Sequence, residues 1–307
     1  MRIGVIFPQT ELRADPVDVR AYAQGVAEIG FRHIRAYDHV LGADRASRPD
    51  WPWPYDHESI FHEVFVLFGF LAGVVPGLEL VSGVIVLPQR QTALVAKQAA
   101  QIDVLSGGRL RFGVGLGYNA VEFEALGMEF AGRGERFEEQ VLLLRRLMAE
   151  PSVRFRGRWH SVTDAGINPL PVQRPVPIWI GGSSPRAVRR AARLGDGWFP
   201  LEPLPGRDWA ATIAQVREWV AAAGRDAAAF GLDPVVDVTT GEPGGWAASA
   251  EMWRDLGATH LSVLTMDGGL CGAAAHLARL SEAWDALSAF AETEAAPTAA
   301  TPQSTGE

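Results

Sequence analysis

The feature that most constrains this chain is a repeated alternation of short apolar runs and segments with helical spacing. Ile3–Phe7 is stopped by Pro8, and Pro16–Ile29 then places Val19, Tyr22, Val26 and Ile29 three and four residues apart, ahead of Gly30. His33–Val40 reads as the second strand and Ile60–Val74 as its helix. Leu78–Leu87 precedes helix Thr92–Leu105, and Arg109–Val114 precedes helix Arg133–Met148. Ile178–Ile180 leads into a helix through Leu194 that Gly195 stops. Strands Gly197–Leu201, Val235–Thr240 and Thr259–Thr265 alternate with helices Trp209–Ala223, Ala247–Leu256 and Ala274–Phe290.

Short runs that are apolar on both faces fit parallel strands covered by helices. No composition break divides the 307 residues, so one (β/α)8 TIM barrel over residues 1–290 accounts for length and order better than two doubly wound domains. The bare repeat is decorated by insertions after strands 2 and 4 and by a small hairpin over Val153–Thr163, before strand 5. The tail, 291–307, has the composition of a disordered segment.

Barrel chemistry sits at the C-terminal strand ends. Asp38-His39, Gly83-Val84, Gly117-Tyr118-Asn119, Gly181-Gly182-Ser183 and Thr265 are therefore predicted to converge at one mouth. His39 is a candidate acid, base or hydrogen-bond donor, or else a structural histidine. Gly113, Gly115 and Gly117 either open the backbone to a ligand or ease strand packing. Ser184 and Pro185 suit a helix start whose free amides, with Gly181, Gly182 and Ser183, face an anion; a plain capped helix is the competing reading. Trp51, Trp53 and Tyr55 form an apolar lid or a plug. Glu122 reads as part of a solvated loop, and Arg133 and Arg136 as a charged helix start rather than a grip for an acidic cofactor tail.

The balance of 28 basic and 36 acidic residues, net charge -8, with no basic patch, argues against nucleic acid. Cys271 is the only cysteine, metal-type Cys/His spacing is absent, and neither a signal peptide nor a membrane span is legible. The expectation is a cytoplasmic protein without a metal.

The segments GFRHIRAYDHV, LVSGVIVLP, AKQAAQIDVLSGGRLRFGVGLGYNAVEFEALG, RGERFEE, FRGRWHS and PVPIWIGGSSPRAVRRAARLGDGWFP together resemble the luciferase-like monooxygenase superfamily, in particular its F420-dependent oxidoreductases. The resemblance implies a barrel with a deazaflavin or flavin ring at its mouth. A third-strand bulge with a non-proline cis peptide, at Ser82, Gly83 and Val84, would support the ring. Gly181, Gly182 and Ser183 would hold the cofactor phosphate, Asn119 would contact the cofactor, and Asp38 with His39 would stand beside the reactive ring carbon. Two positions depart from relatives. Leu116 stands near a glutamate that is the general acid of sugar-phosphate oxidisers, and Tyr118 stands where many relatives carry tryptophan.

The expected function is F420-dependent hydride transfer to or from a small organic substrate in a cavity shaped by Trp51, Trp53 and Tyr55. The alternatives are an FMN-dependent two-component monooxygenase using oxygen, and a flavin-binding barrel without turnover. The expected partners are the substrate, a separate reductase that regenerates the reduced cofactor, and a second copy of the chain in a homodimer.

Overall fold

Strands that are apolar on both faces need cover on both faces, and here they obtain it by closing into a ring wrapped by helices. The computed structural model describes residues 1–200 and 207–292. Along them run β1 (Arg2–Ile6), α1 (Pro16–Ile29), β2 (His33–Ala36), α2 (Val64–Val74), β3 (Glu79–Ser82), β4 (Ile85–Val86), α3 (Thr92–Ser106) and β5 (Leu110–Gly115). Then come α4 (Ala120–Ala125), α5 (Arg133–Ala149), β6 (Val153–Arg156), β7 (Ser161–Ala165), β8 (Ile178–Gly181), α6 (Pro185–Leu194), β9 (Gly197–Phe199) and α7 (Trp209–Ala222). The series ends with β10 (Gly231–Leu232), β11 (Val235–Asp237), α8 (Pro243–Asp255), β12 (His260–Leu264) and α9 (Gly272–Leu287).

β1 pairs in parallel with β2 and β12, and the ladder continues from β2 through β3, β5, β8 and β9 to β10. β11 pairs with β12 and completes the ring. Two barrel strands are interrupted. The third changes course between β3 and β4 at Gly83–Val84, whose peptide bond is cis, and the seventh breaks at Asp233-Pro234, between β10 and β11. With each interrupted pair taken as one strand, the described residues give the barrel expected from the sequence. β6 and β7 form the antiparallel hairpin outside it.

Ile3, Val5, Ile34, Phe112, Ile178, Leu261 and Val263 are wholly buried, each contributing about 1.5–3 kcal/mol by leaving water. Charge is buried too, in the N-terminal half of the barrel. Arg111 donates to Asp233 at 2.7 Å and to Glu79 at 3.1 Å, Ser262 donates to Asp233 at 2.8 Å, and His33 shares a 2.9 Å hydrogen bond with Ser262. Burial pushes the Asp233 carboxyl up, and Arg111 and Arg35 more than offset this, holding it below the ordinary carboxylate range.

Several boundaries differ from the sequence reading, each for a local reason. The second strand stops at Ala36 because Asp38 turns to Arg90 and to the Val86 amide. The helix expected from Ile60 begins at Val64, where Glu63 accepts from Val66 N at 2.8 Å as its cap. The run ending at Thr240 leaves the sheet after Asp237, whose carboxylate takes the Thr239 amide and hydroxyl. β10 is two residues long, too short for a periodicity to register. Leu201 and residues 293–307 of the tail lie outside the described residues.

Candidate active site

Strand ends two, three, four and five meet at the C-terminal mouth of the barrel. Their approach is steric before it is chemical. A side chain at Gly113 would collide with the Ser82 carbonyl, one at Gly115 with Val84, and one at Gly117 with Val86. The glycine spacing therefore serves strand packing, and of the two sequence readings the packing one holds. Val84 stands between Gly115 and Gly181, where an added Cβ on Gly181 would come within 2.9 Å of Val84 Cγ1. Gly83 and Val84 stay partly exposed, so the third-strand bulge forms a small apolar shelf.

Asp38 and His39 occupy the mouth but do not act as a pair. Asp38 is buried, accepting from Arg90 at 2.7 Å and from the Val86 amide at 2.9 Å. Burial pushes its carboxyl up from the ordinary range, against the pull of Arg90 and the Val86 amide. Its visible work is to tie the second strand to the third.

His39 takes a partner that sequence reasoning set aside. Its Nδ1 lies 3.1 Å from Glu122 Oε1, the same oxygen accepts the Val40 amide at 3.0 Å, and Gln89 donates to Glu122 Oε2 at 3.0 Å. Glu122 is thus not solvated: it is buried on α4, where Asn119 caps the helix by accepting from Val121 N at 3.1 Å. Burial pushes the Glu122 carboxyl up, but the bonds from His39, Gln89 and Val40 prevail and hold it below its ordinary range. The legible signal was acids at Glu122 and Glu124, two positions on opposite sides of a helix, so only one of them can face solvent. On the other edge of the imidazole, Nε2 is 3.2 Å from the Tyr118 hydroxyl.

The side chains of two expected cofactor residues, Ser82 and Asn119, also make hydrogen bonds within the protein. Ser82 Oγ donates to Gly113 O at 2.8 Å and accepts Gly113 N at 2.9 Å, bridging the third and fourth strands. The Asn119 amide donates to Leu41 O at 3.1 Å besides capping α4. Thr265 stands at the C-terminal end of the eighth strand, buried, with its hydroxyl 2.9 Å from His276 Nδ1 of α9. Arg133 and Arg136 lie in the first turn of α5, as the charged helix start expected, and Arg136 is buried there, donating to the Pro88 and Glu129 carbonyls. Arg133 lies over the Phe130 ring at 3.6 Å.

The fifth strand end behaves as its residues predict. Ser184 accepts from Ala187 N at 3.2 Å, Pro185 follows as the first helical residue, and Gly182 takes φ 123°, a conformation that favours glycine. Arg207 donates to Ser183 O at 2.8 Å, while its Nη1 is buried without a partner among the described residues.

The loop after the second strand folds over the mouth. Arg45 holds it together through Asp56 at 2.5 Å and through the Trp53 and Pro54 carbonyls, each at 2.9 Å, and Trp51 Nε1 donates to Tyr55 O at 2.9 Å. Tyr55 reaches across the ring to Asp267 at 3.0 Å. Trp53 lies 4.3 Å from the Tyr118 ring, and Tyr55 and Phe61 pack against His39 at 5.3 and 4.6 Å. A cavity of about 280 Å³ opens between His39, Leu41, Tyr55, His57 and Phe61, near the lower end of the ~300–1,000 Å³ usual for small-molecule pockets. Among the described residues, no group of acidic, histidine or cysteine side chains is placed to hold a metal, and no helix is long and apolar enough to cross a membrane.

Comparison with known proteins agrees with this architecture. An uncharacterized protein of Mycobacterium tuberculosis is 34% identical over 184 residues, 60% of this chain and 63% of that one, so the match spans less than two thirds of the relative. The F420-dependent hydroxymycolic acid dehydrogenase of M. tuberculosis is 27% identical over 82% of this chain and 66% of its own. The FMNH2-dependent dimethylsulfone monooxygenase of Pseudomonas putida is 32% identical over 45% of this chain and 39% of its own. In structure, monooxygenase RslO1 from Streptomyces bottropensis superposes with a TM-score of 0.75 over 95% of this chain and 100% of its own, at 19% identity, a likeness of fold. The profile described as luciferase-like monooxygenase matches residues 1–242, which takes in β1 through β11 and every mouth residue named above except Asp267 and Thr265, so the chain belongs to the luciferase-like monooxygenase family.

Proposed function

We propose that the chain is an F420-dependent oxidoreductase acting on a small organic substrate at the barrel mouth. The observation that carries this reading is a partly exposed histidine, His39, fixed by a buried carboxylate just past the end of a barrel strand and lining the cavity with Tyr55 and Phe61. Such a group holds or moves a proton where a substrate heteroatom can reach it. The relative matched over the largest share of this chain among those compared is named for F420, which supports the deazaflavin over FMN.

The residues present fit the cofactor. Gly83 and Val84 offer a flat apolar face to a ring, and Gly181, Gly182 and Ser183 lead into the N-terminus of α6, where free amides favour a phosphate. The Nη1 of Arg207, without a partner among the described residues, adds a donor beside Ser183. When bound, a deazaflavin supplies hydride exchange. His39 then manages the proton, Glu122 keeps its ring oriented, and the Trp51–Phe61 loop excludes water. FMN with oxygen is the second reading, supported by the P. putida relative.

The test is equilibrium binding of F420 and of FMN to the purified protein. Micromolar F420 binding with weaker FMN binding is expected. Tighter FMN binding with an oxygen-dependent product would establish the second reading, and no binding of either would overturn both.

A further inference from the structure

Tyr118 stands where the chain departs from its resemblance to relatives, and the structure gives its hydroxyl a partner. A carboxylate only accepts hydrogen bonds, so Glu122 at 3.1 Å from Nδ1 requires the His39 proton to sit on Nδ1. In the neutral imidazole Nε2 then presents a lone pair, and the group facing it at 3.2 Å is the Tyr118 hydroxyl, which in that form donates. The three side chains form a line from a buried carboxylate through an imidazole to a partly exposed phenol. The arrangement has the logic of a hydroxyl, base and orienting carboxylate, with a phenol in the position of the hydroxyl.

We infer that Tyr118 exchanges the proton with the substrate oxygen, with His39 as the base behind it and Glu122 as the residue that positions His39, and that the substrate is an alcohol and carbonyl pair. The inference rests on the hydride-transfer reading above. In the oxidation direction the substrate carbon–hydrogen bond would break, and an oxidised deazaflavin, if bound, would take up the hydride with its electron pair. The substrate hydroxyl gives its proton to Tyr118 Oη as Tyr118 gives its own to His39 Nε2, and the carbonyl π bond forms. One substrate is oxidised by two electrons, one cofactor is reduced by two, and one proton rests on an imidazolium that faces Glu122. Reduction of a ketone runs the same line backwards.

Two further facts agree with this role. Burial and the nearby Glu122 carboxylate push the Tyr118 hydroxyl up to about 12, so it keeps its proton at neutral pH until the substrate and His39 share it. The Trp53 ring at 4.3 Å and the imidazole at 5.8 Å hold the phenol from two sides. Leu116, which cannot move a proton, lies two residues away, so the fourth strand end delivers a proton-active group at Tyr118 instead.

The test combines Tyr118→Phe, Tyr118→Trp and His39→Ala with F420 and a panel of primary and secondary alcohols and their aldehydes and ketones, from 2-propanol to cyclohexanol and benzyl alcohol. Tyr118→Phe keeps the ring and should bind F420 within about twofold of wild type, with kcat lower by about 10²-fold or more and KM little changed. Tyr118→Trp should be as slow, because an indole donates but cannot accept. In 15N spectra of histidine-labelled protein, wild-type His39 should show a protonated Nδ1 and an Nε2 resonance that moves in Tyr118→Phe. Wild-type kcat in either Tyr118 variant, or a proton on Nε2 in the wild type, would overturn the inference. So would F420 binding with no conversion across the panel, an outcome that leaves the cofactor reading standing. Failure of F420 to bind overturns both.

Discussion

A carboxylate as enclosed as that of Glu122 survives only if its donors repay the loss of water, and His39, Gln89 and Val40 together do so. Glu122→Gln keeps the shape but turns one acceptor into a donor against donors. It should cost about 1–3 kcal/mol in urea unfolding at neutral pH. The pH dependence has a definite sign. The folded carboxyl titrates below its ordinary range, so its contribution is complete above the unfolded value of about 4.3 and disappears as pH falls through the lower folded value. The gap between wild type and variant should shrink as pH falls below about 4, and a gap that goes on widening below that pH would contradict the assignment. His39 was legible as a site residue because it ends a barrel strand. Its partner was only half legible: helical spacing says that one of Glu122 and Glu124 turns inward, but which one depends on contacts to Val40 and Gln89, 82 and 33 residues away.

At the scale of elements, the fourth barrel strand shows how packing and chemistry share one segment. Alternate glycines of β5 and its extension let Ser82, Val84 and Val86 of the third strand approach, and that approach brings Val84 up to Gly181. Gly113→Ala forces a methyl against the Ser82 carbonyl, which is backbone and cannot rotate away. A loss of about 1–3 kcal/mol or more is expected. Gly73, exposed in α2 with no atom near an added Cβ, makes the control, and Gly73→Ala should be stabilising by roughly 0.5–1 kcal/mol. Equal unfolding midpoints for the two variants would refute the packing account. Helices were the most legible elements, since α1 and α6 announce themselves with Asp15-Pro16 and Ser184-Pro185 caps. The interruption of the third strand at Gly83–Val84 was legible through the family resemblance, whereas that of the seventh was not, because β10 is shorter than any period.

At the scale of the whole molecule, charge selects among substrates. The chain carries -8, and no lysine or arginine lines the cavity beside His39, whereas Asp56 does. Arg45 and Arg90, on this side of the mouth, already face Asp56, Asp38 and Glu63, and Arg207 lies at the fifth strand end beside Ser183. Residues 201–206 and 293–307 contain no lysine or arginine that could supply another. A carboxylated analogue of any neutral substrate should therefore show kcat/KM lower by about tenfold or more at low salt, with the gap narrowing at 0.5 M salt as charges are screened. Equal values for neutral and anionic forms would sink this expectation. The barrel itself was legible from order and length alone, because a run of short apolar segments and helices without a linker has few other ways to bury both faces.

The break in the seventh strand gives this ring a clasp. Pro234 has no N–H to donate, but its carbonyl accepts the Ser262 amide at 2.9 Å, so at that point main chain and side chain close the ring together. Asp233, one residue earlier, is gripped by Arg111 from the fourth barrel strand and by Ser262 from the eighth. The hoop is thus fastened across its hollow as well as around its rim, and a single carboxylate below the mouth couples opposite walls of the vessel that the proposed chemistry would occupy.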